Sequence, residues 1–254
     1  MIQDTLQKAS LAELFSLIEK LPGPQGHLFR GQRNAAWSLI PTLYRLTPNI
    51  HGGSIAESFN VFEAELIDRF FREGLPYLPP ISRSYSNDRA LAQHFGAPTR
   101  LLDWSEDPLV ATFFAVEQWE TTTDAAVFMI IPEARFRPED VKDFKALQSI
   151  AFRPPAIDRR IPAQRSMFTF HPHEPKDQPF VPLEQRPNIG INVSNPHGAG
   201  GSARAFAKIV IPQPLKEQLF LRLSRIGIDR RNLFPGLDGV GADTAARALS
   251  GQWM

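Results

Sequence analysis

Apolar residues recur at helical spacing in several segments, and local signals mark where these segments begin and end. Ser10 and Glu13 form a capping box, and Asp107 followed by Pro108 is typical of a helix start. Gly96 closes another segment, because glycine readily adopts the left-handed conformation that ends a helix. The helices predicted in this way span residues 10–21, 55–73, 87–95, 108–118, about 138–150 and 213–226, and a last short helix follows residue 238.

Short apolar runs between these helices predict strands. Residues 125–131 are apolar almost throughout, as in a strand that is buried on both faces. Residues 171–203 contain six prolines and predict a long loop. Because helices and strands do not alternate regularly, their order favours an α+β fold, and we expect one domain over residues 1–254. The remaining predicted strands are 27–30, which breaks at Gly31, 101–104, 167–170 and 206–211.

Composition narrows the classes of function. The chain has 28 basic and 27 acidic side chains, so no global polycation recruits nucleic acid or a membrane surface. It has no cysteine, which excludes disulfides and thiolate chemistry and favours a cytoplasmic location. No apolar run approaches the roughly 20 residues that span a bilayer, and the N-terminus lacks the pattern of a signal peptide. We therefore expect no membrane partner.

Residues 93–105 are the most informative segment, because Arg100 and Asp103 stand there among leucines and a tryptophan. Charges set among large apolar groups must be paired or bound. The segment is therefore either an internal structural clamp or the floor of a site. We expect Arg100 and Asp103 to be buried and held as a structural salt bridge rather than to be catalytic.

Two further positions have both a functional and a structural interpretation. Arg30 ends a strand beside Gly31, which suits a bidentate grip on a phosphate. The alternative for Arg30, an ordinary ion pair with a carboxylate, is the more frequent role of such an arginine. Ser105 precedes a helix N-terminus, where it would contact a ligand and where anions are favoured. The alternative is that Ser105 and Asp107 both cap that helix.

Basic and histidine residues later in the chain carry weaker signals. Arginines at positions 153, 159, 160 and 165 form a basic rim that would contact phosphates, or they are solvated loop residues. His171 and His173 flank a proline, but no third ligand lies nearby with metal-site spacing, so we expect no metal. The sequence contains no phosphate-binding glycine loop and no nucleophile elbow of the hydrolases.

Taken together, the motifs resemble the FRG family, named after the sequence that stands here at residues 29–31. The strongest part is the segment Gln93–Gly96 with Pro98–Ser105, and the resemblance spans about residues 10–240. Further matching stretches are Trp37–Arg45, Arg160–Gln164 with Phe168, and Leu233–Asp238.

The order of these motifs also resembles, more distantly, the arginine–serine–glutamate class of ADP-ribosyltransferases. That resemblance implies a small, split, mixed β-sheet and NAD as substrate. It places Arg30 on the NAD pyrophosphate and Ser105 on the nicotinamide ribose, with Gly31 and Thr99 also on the nucleotide-binding side. The catalytic glutamate of that class corresponds here to Gln164.

Glutamine at position 164 departs from that class. Cleavage of the nicotinamide–ribose bond builds positive charge on the ribose, which a carboxylate stabilises and a glutamine does not neutralise. Either another acid supports the chemistry, with Asp103 and Glu106 nearest in sequence, or the site binds without turnover.

The resemblance implies an ADP-ribosyltransferase-like enzyme with Ser105 and Gln164 at the catalytic positions. By analogy, it acts as a bacterial toxin or phage-defence effector on a protein or nucleic-acid acceptor, with an antitoxin or immunity partner. One rival hypothesis is a nucleotide-binding sensor without catalysis, which Gln164 favours. Another is a nucleic-acid-binding or nuclease-like module, which the near-zero net charge disfavours.

Overall fold

The computed structural model describes residues 2–20, 26–46, 55–78, 82–131, 135–136, 150–171, 174, 179–186, 206–249 and 251. The strands are Ile2–Thr5 (β1), Leu28–Gln32 (β2), Leu101–Ser105 (β3), Ala125–Ile130 (β4), Arg135–Phe136 (β5), Ile150–Phe152 (β6), Ser166–Phe170 (β7) and Phe206–Ile211 (β8). The helices are Leu11–Glu19 (α1), Ile55–Gly74 (α2), Tyr85–His94 (α3), Pro108–Val116 (α4), Arg160–Ala163 (α5), Lys216–Arg225 (α6), Arg230–Leu233 (α7) and Leu237–Leu249 (α8).

The eight strands form one sheet in the order β1-β8-β4-β2-β3-β7-β6-β5. The two outer pairs, β1 with β8 and β5 with β6, are parallel, and the pairs between them are antiparallel. A mixed sheet flanked by helices is consistent with the predicted α+β class. It is a single sheet and is larger than the small sheet that we expected. Among the described residues, no helix is both long and apolar enough to cross a membrane.

Helix ends follow the local signals in the sequence. Ser10 accepts a hydrogen bond from the backbone N–H of Glu13, which confirms the predicted start of α1. Asp107 accepts from the N–H groups of Leu109 and Val110, so α4 begins with Pro108 at its first position, as predicted. These caps need only residues within a few positions of one another. Most of the predicted helix 138–150 and of the predicted loop 171–203 lies outside the described residues, and Ile150, at the end of that predicted helix, instead begins β6.

Gly31 does not break β2, which continues to Gln32, so that prediction is wrong. Its role is to let α4 approach the strand. A Cβ at position 31 would lie 1.9 Å from the carbonyl oxygen of Ala111 and 2.6 Å from the nitrogen of Ala115. Both distances are shorter than any van der Waals contact, so only glycine allows α4 to pack this closely.

The core lies on both faces of the sheet. One face packs against α1, α4 and α6 through apolar residues such as Phe29, Phe113 and Leu219. The other face buries Leu28, Trp104 and residues of β4 and β8. Burial of β4 on both sides explains its almost wholly apolar sequence and confirms the predicted strand.

The centre of the sheet has a weak joint between β2 and β3. These two strands share a single pair of opposite residues, Phe29 and Ser105, whereas β2 and β4 pair along five residues. Beyond that pair the two strands part, and the residues that follow Phe29 on β2 have no opposite residue on β3. The gap between the strands opens a cavity in the middle of the sheet.

Candidate functional site

A cavity of about 370 Å³ lies where β2 and β3 part. This volume lies within the range of small-molecule sites in proteins. Its wall combines an arginine-rich end with aromatic side chains from several elements, including Trp37, Phe114 and Phe234. Four residues singled out as site residues line it together: Arg30 and Gly31 from β2, Ser105 from the end of β3 and Gln164 from the turn after α5.

Arg30 bridges the gap between the two strands. Its Nη1 donates a 2.7 Å hydrogen bond to the backbone carbonyl of Asp103 and lies 3.5 Å from the Asp103 carboxylate. Its Nε is buried and has no hydrogen-bond partner within the described parts of the chain. Burial lowers the pKa of Arg30, and the Asp103 charge opposes that shift. A buried guanidinium with an unused donor is well placed to bind an anion.

A second arginine reinforces the positive charge at this end of the cavity. Arg45 lines the cavity, and its Nε donates a 2.9 Å hydrogen bond to the carbonyl of Ile40. Burial lowers the pKa of Arg45, and the positive charge of Arg30 lowers it further. The two guanidinium groups therefore repel each other, and an anion bound between them would relieve that repulsion.

Arg100 and Asp103 do not pair with each other, so the predicted salt bridge between them is wrong. Arg100 is buried and donates from Nε to Glu63 at 2.6 Å, and Arg89 donates to the same carboxylate at 2.9 Å. The side chain of Asp103 is 59% exposed, so the prediction that it is buried is also wrong. Side chains alternate along β3, which turns Asp103 away from the neighbours that bury Leu102 and Trp104.

Ser105 and Gln164 lie next to each other at the base of the cavity. The Ser105 hydroxyl donates to the Gln164 backbone carbonyl at 2.7 Å and accepts from the Asp107 N–H at 3.0 Å. The hydroxyl therefore takes part in capping α4, together with the Asp107 carboxylate, as the structural alternative proposed. The Gln164 amide donates from Nε2 to the carbonyl of Leu233 at 3.0 Å, which orients the side chain and leaves Oε1 available to a ligand.

The turn between Gln164 and Ser166 has an unusual backbone. Arg165 has a φ of 49°, which is the one positive φ of a residue other than glycine among the described residues. Such a conformation costs free energy, and it persists where surrounding contacts fix it, often near functional sites. Here the Arg165 carbonyl accepts from the N–H of Glu106, which fixes Gln164 against the end of β3.

Thr99 and Glu106 do not line the cavity. The Thr99 hydroxyl donates to Gln93 and accepts from the N–H of Leu101 at 3.1 Å, so it holds the turn before β3. The carboxylate of Glu106 pairs with Arg153 at 2.5 Å. Of the two acids expected near Gln164, only Asp103 reaches the cavity.

The sequence interpretation missed Glu117, the acid at the other end of α4. It lines the cavity, and its Oε2 is buried without a hydrogen-bond partner among the residues described. Arg230 lies 3.4 Å from that oxygen and forms an ion pair with it without a hydrogen bond. Burial raises the pKa of Glu117 despite the charges of Arg230 and Arg33. No local motif marks Glu117 in the sequence, because its place in the cavity depends on how α4 packs against β2.

The basic rim is largely neutralised. Carboxylates pair with Arg153, Arg160 and Arg165, at 2.5, 2.5 and 3.6 Å respectively. Arg153 and Arg165 are mostly exposed, which is consistent with the alternative that the rim consists of solvated loop residues. His171 is wholly buried beside Thr169, and burial lowers its pKa to about 3. His173 lies outside the described residues, and the described residues hold no group of three or more potential metal ligands.

Comparison with known proteins matches part of the chain. No curated protein and no solved structure matches the chain. The family model described as FRG domain matches residues 25–124, a range that includes Arg30, Ser105 and Glu117 but not Gln164. This match over the segment that builds most of the cavity supports the FRG family for this chain.

Proposed function

We propose that this protein is an NAD-dependent ADP-ribosyltransferase-like enzyme whose site is the cavity between β2 and β3. The observation that carries the proposal is the meeting of Arg30, Ser105 and Gln164 in one cavity, although they are far apart in the sequence. In this proposal the gap in the sheet corresponds to the split sheet of that class. The site takes NAD as substrate and holds no metal.

Each of the three residues has a defined task in the proposed reaction. Arg30, with Arg45 beside it, binds the pyrophosphate through charge-assisted hydrogen bonds. Ser105 holds the Gln164 backbone in place and so shapes the pocket for the nicotinamide ribose. Gln164 presents Oε1 to the ribose hydroxyls, because its Nε2 is fixed on Leu233. Gly31 serves this site indirectly, by letting α4 form one wall.

The acceptor of the ADP-ribosyl group is a protein or a nucleic acid, and the proposed role is that of a toxin or phage-defence effector with a neutralising partner. Pairing of the rim arginines with carboxylates argues against a nucleic-acid-binding or nuclease-like module. A nucleotide-binding sensor is the second candidate function. It is favoured by the absence of a carboxylate at position 164 and by the use of the only donor of the Ser105 hydroxyl in a protein contact.

Nicotinamide release from NAD separates these functions. We expect release by the wild type, loss of release in Gln164→Ala with NAD binding largely retained, and faster release in Gln164→Glu. The matched control is the same pair of changes at Gln185, an exposed glutamine outside the cavity. RNA, DNA and cell lysate serve in turn as acceptors. NAD binding without release would support the sensor, and absence of both would disprove the NAD hypothesis.

A further inference from the structure

Glu117 is the unexplained feature of the cavity, because three features of its surroundings disfavour a buried carboxylate there. It occupies the C-terminal cap of α4, where the helix dipole disfavours a negative charge. Its side chain is only 18% exposed, so the carboxylate has lost most of its hydration. Its Oε2 accepts no hydrogen bond from the described residues, although a buried carboxylate oxygen normally does.

The neighbouring charges do not compensate for this burial. Arg33 at the end of β2 and Arg230 in α7 attract the carboxylate, while Glu120 repels it. Arg230 approaches to 3.4 Å without a hydrogen bond, and the Nη1 of Arg33 donates instead to Gln118 at 2.9 Å. A buried acid without a hydrogen-bond partner is typical of a ligand-binding position rather than of a structural one.

A second acceptor in the same cavity is also unsatisfied. Gln32 lines the cavity at the end of β2, and its Oε1 is buried without a hydrogen-bond partner in the described part of the chain. The oxygens of Glu117 and Gln32 can accept hydrogen bonds from donors of a ligand. Arg30 and Arg45, at the other end of the cavity, can bind an anion of the same ligand. A dinucleotide carries both kinds of group, with phosphates in its middle and hydroxyl and amide donors on either side.

We propose that Glu117 is a ligand-binding residue that accepts a hydrogen bond from a hydroxyl or amide donor of the bound dinucleotide. This proposal rests on the proposed function. In this proposal the negative charge that position 164 lacks is carried by Glu117, at the end of α4. Glu117 thereby selects ligands that present a donor there and disfavours ligands that present an anion.

The test is calorimetric titration of the whole chain with NAD. Glu117→Gln keeps the size of the side chain but removes the charge, and we expect NAD affinity to fall about tenfold to a hundredfold. Glu217→Gln, the same change at an exposed glutamate outside the cavity, is the control and should bind as the wild type does. Should Glu117→Gln fail to fold, Glu117→Asp replaces it, because it keeps the charge but withdraws it by one methylene.

Parallel titrations with ADP-ribose show which part of NAD carries the hydrogen-bond donor that binds Glu117. An equal loss of NAD and ADP-ribose affinity in Glu117→Gln places the donor on the ADP-ribose part, and a loss for NAD alone places it on the nicotinamide amide. Unchanged NAD affinity in a folded Glu117→Gln protein would overturn the proposal and leave the proposed function standing. Failure of the wild type itself to bind NAD would overturn both.

Discussion

Arg30 and Asp103 hold the gap between β2 and β3 at a fixed width: Nη1 of Arg30 donates to the backbone carbonyl of Asp103 at 2.7 Å. This bond takes the place of the strand pairing that is lost after Phe29. This hydrogen bond uses one donor of the guanidinium and leaves Nε buried without a partner among the described residues. The ion pair with Asp103 matches the structural interpretation of Arg30, and its role in binding a phosphate stays a prediction.

Arg30→Ala is expected to weaken NAD binding by about 2–3 kcal/mol, near a hundredfold, because a charge-assisted contact to the pyrophosphate is lost. Arg30→Lys should restore only part of the affinity, since an ammonium group cannot form two parallel hydrogen bonds. Calorimetry measures the affinity, and Arg69→Ala, at an exposed arginine of α2, is the control. Because Arg30 also bridges two strands, melting temperatures must show that the variant is folded. A folded Arg30→Ala protein with wild-type affinity would contradict the phosphate role.

Gly31→Ala is expected to destabilise the protein by about 3 kcal/mol or more, because the new Cβ would collide with the backbone of α4 rather than with a flexible side chain. Chemical denaturation measures the free energy of unfolding. Gly74→Ala is the matched control, because the nearest atom to its added Cβ lies 4.0 Å away. Equal stability of the two variants would show that α4 does not depend on glycine at position 31.

Glu63→Gln is expected to lower stability by about 3–5 kcal/mol, because it leaves two buried guanidinium groups without their shared carboxylate. The exposed Glu65→Gln of the same helix should change stability little. Thermal and chemical unfolding measure both. A stable Glu63→Gln protein would show that the arginines find other partners.

The pKa of Glu63 also predicts how the stability of the fold decreases at acidic pH. Burial alone would raise the pKa of Glu63, but the charges of Arg100 and Arg89 and the hydrogen bonds from Arg100 outweigh it and lower the pKa. The folded protein therefore binds this proton less readily than the unfolded chain does. The stabilisation is complete above the unfolded pKa near 4.5 and is lost as the pH falls through the lower folded value. Melting curves of the wild type and Glu63→Gln should converge in acid.

The pKa of Glu117 predicts the opposite dependence of stability on pH. Burial raises its pKa in the folded protein, so the wild type loses stability as the pH rises from about 4.5 through the folded value. The groups facing it are Arg33, Arg230 and Glu120. Glu117→Gln should thus melt at a higher temperature than the wild type at neutral pH and at a similar temperature in acid. A lower melting temperature at neutral pH would indicate a structural ion pair with Arg230.

Secondary structure was most predictable where a few neighbouring residues fix it. The caps at Ser10 and Asp107 satisfy backbone N–H groups two or three positions away, so any chain with those residues favours a helix start there. The apolar run of β4 likewise needs only burial on both faces. β1 was missed because its residues are mostly exposed and carry no apolar pattern, and the strand exists through its parallel pairing with β8.

Local patterns along the chain therefore fix most helices and strands, and they reveal the FRG-like motifs and the charges that have to be paired. The tertiary structure decided the partners: Arg100 pairs with Glu63, 37 positions away, and not with Asp103. It also decided that Gly31 admits a helix and that Glu117 reaches the cavity. Hydrogen bonds within a turn depend on nearby residues alone, whereas ion pairs, close backbone approaches and cavity walls depend on which elements pack together.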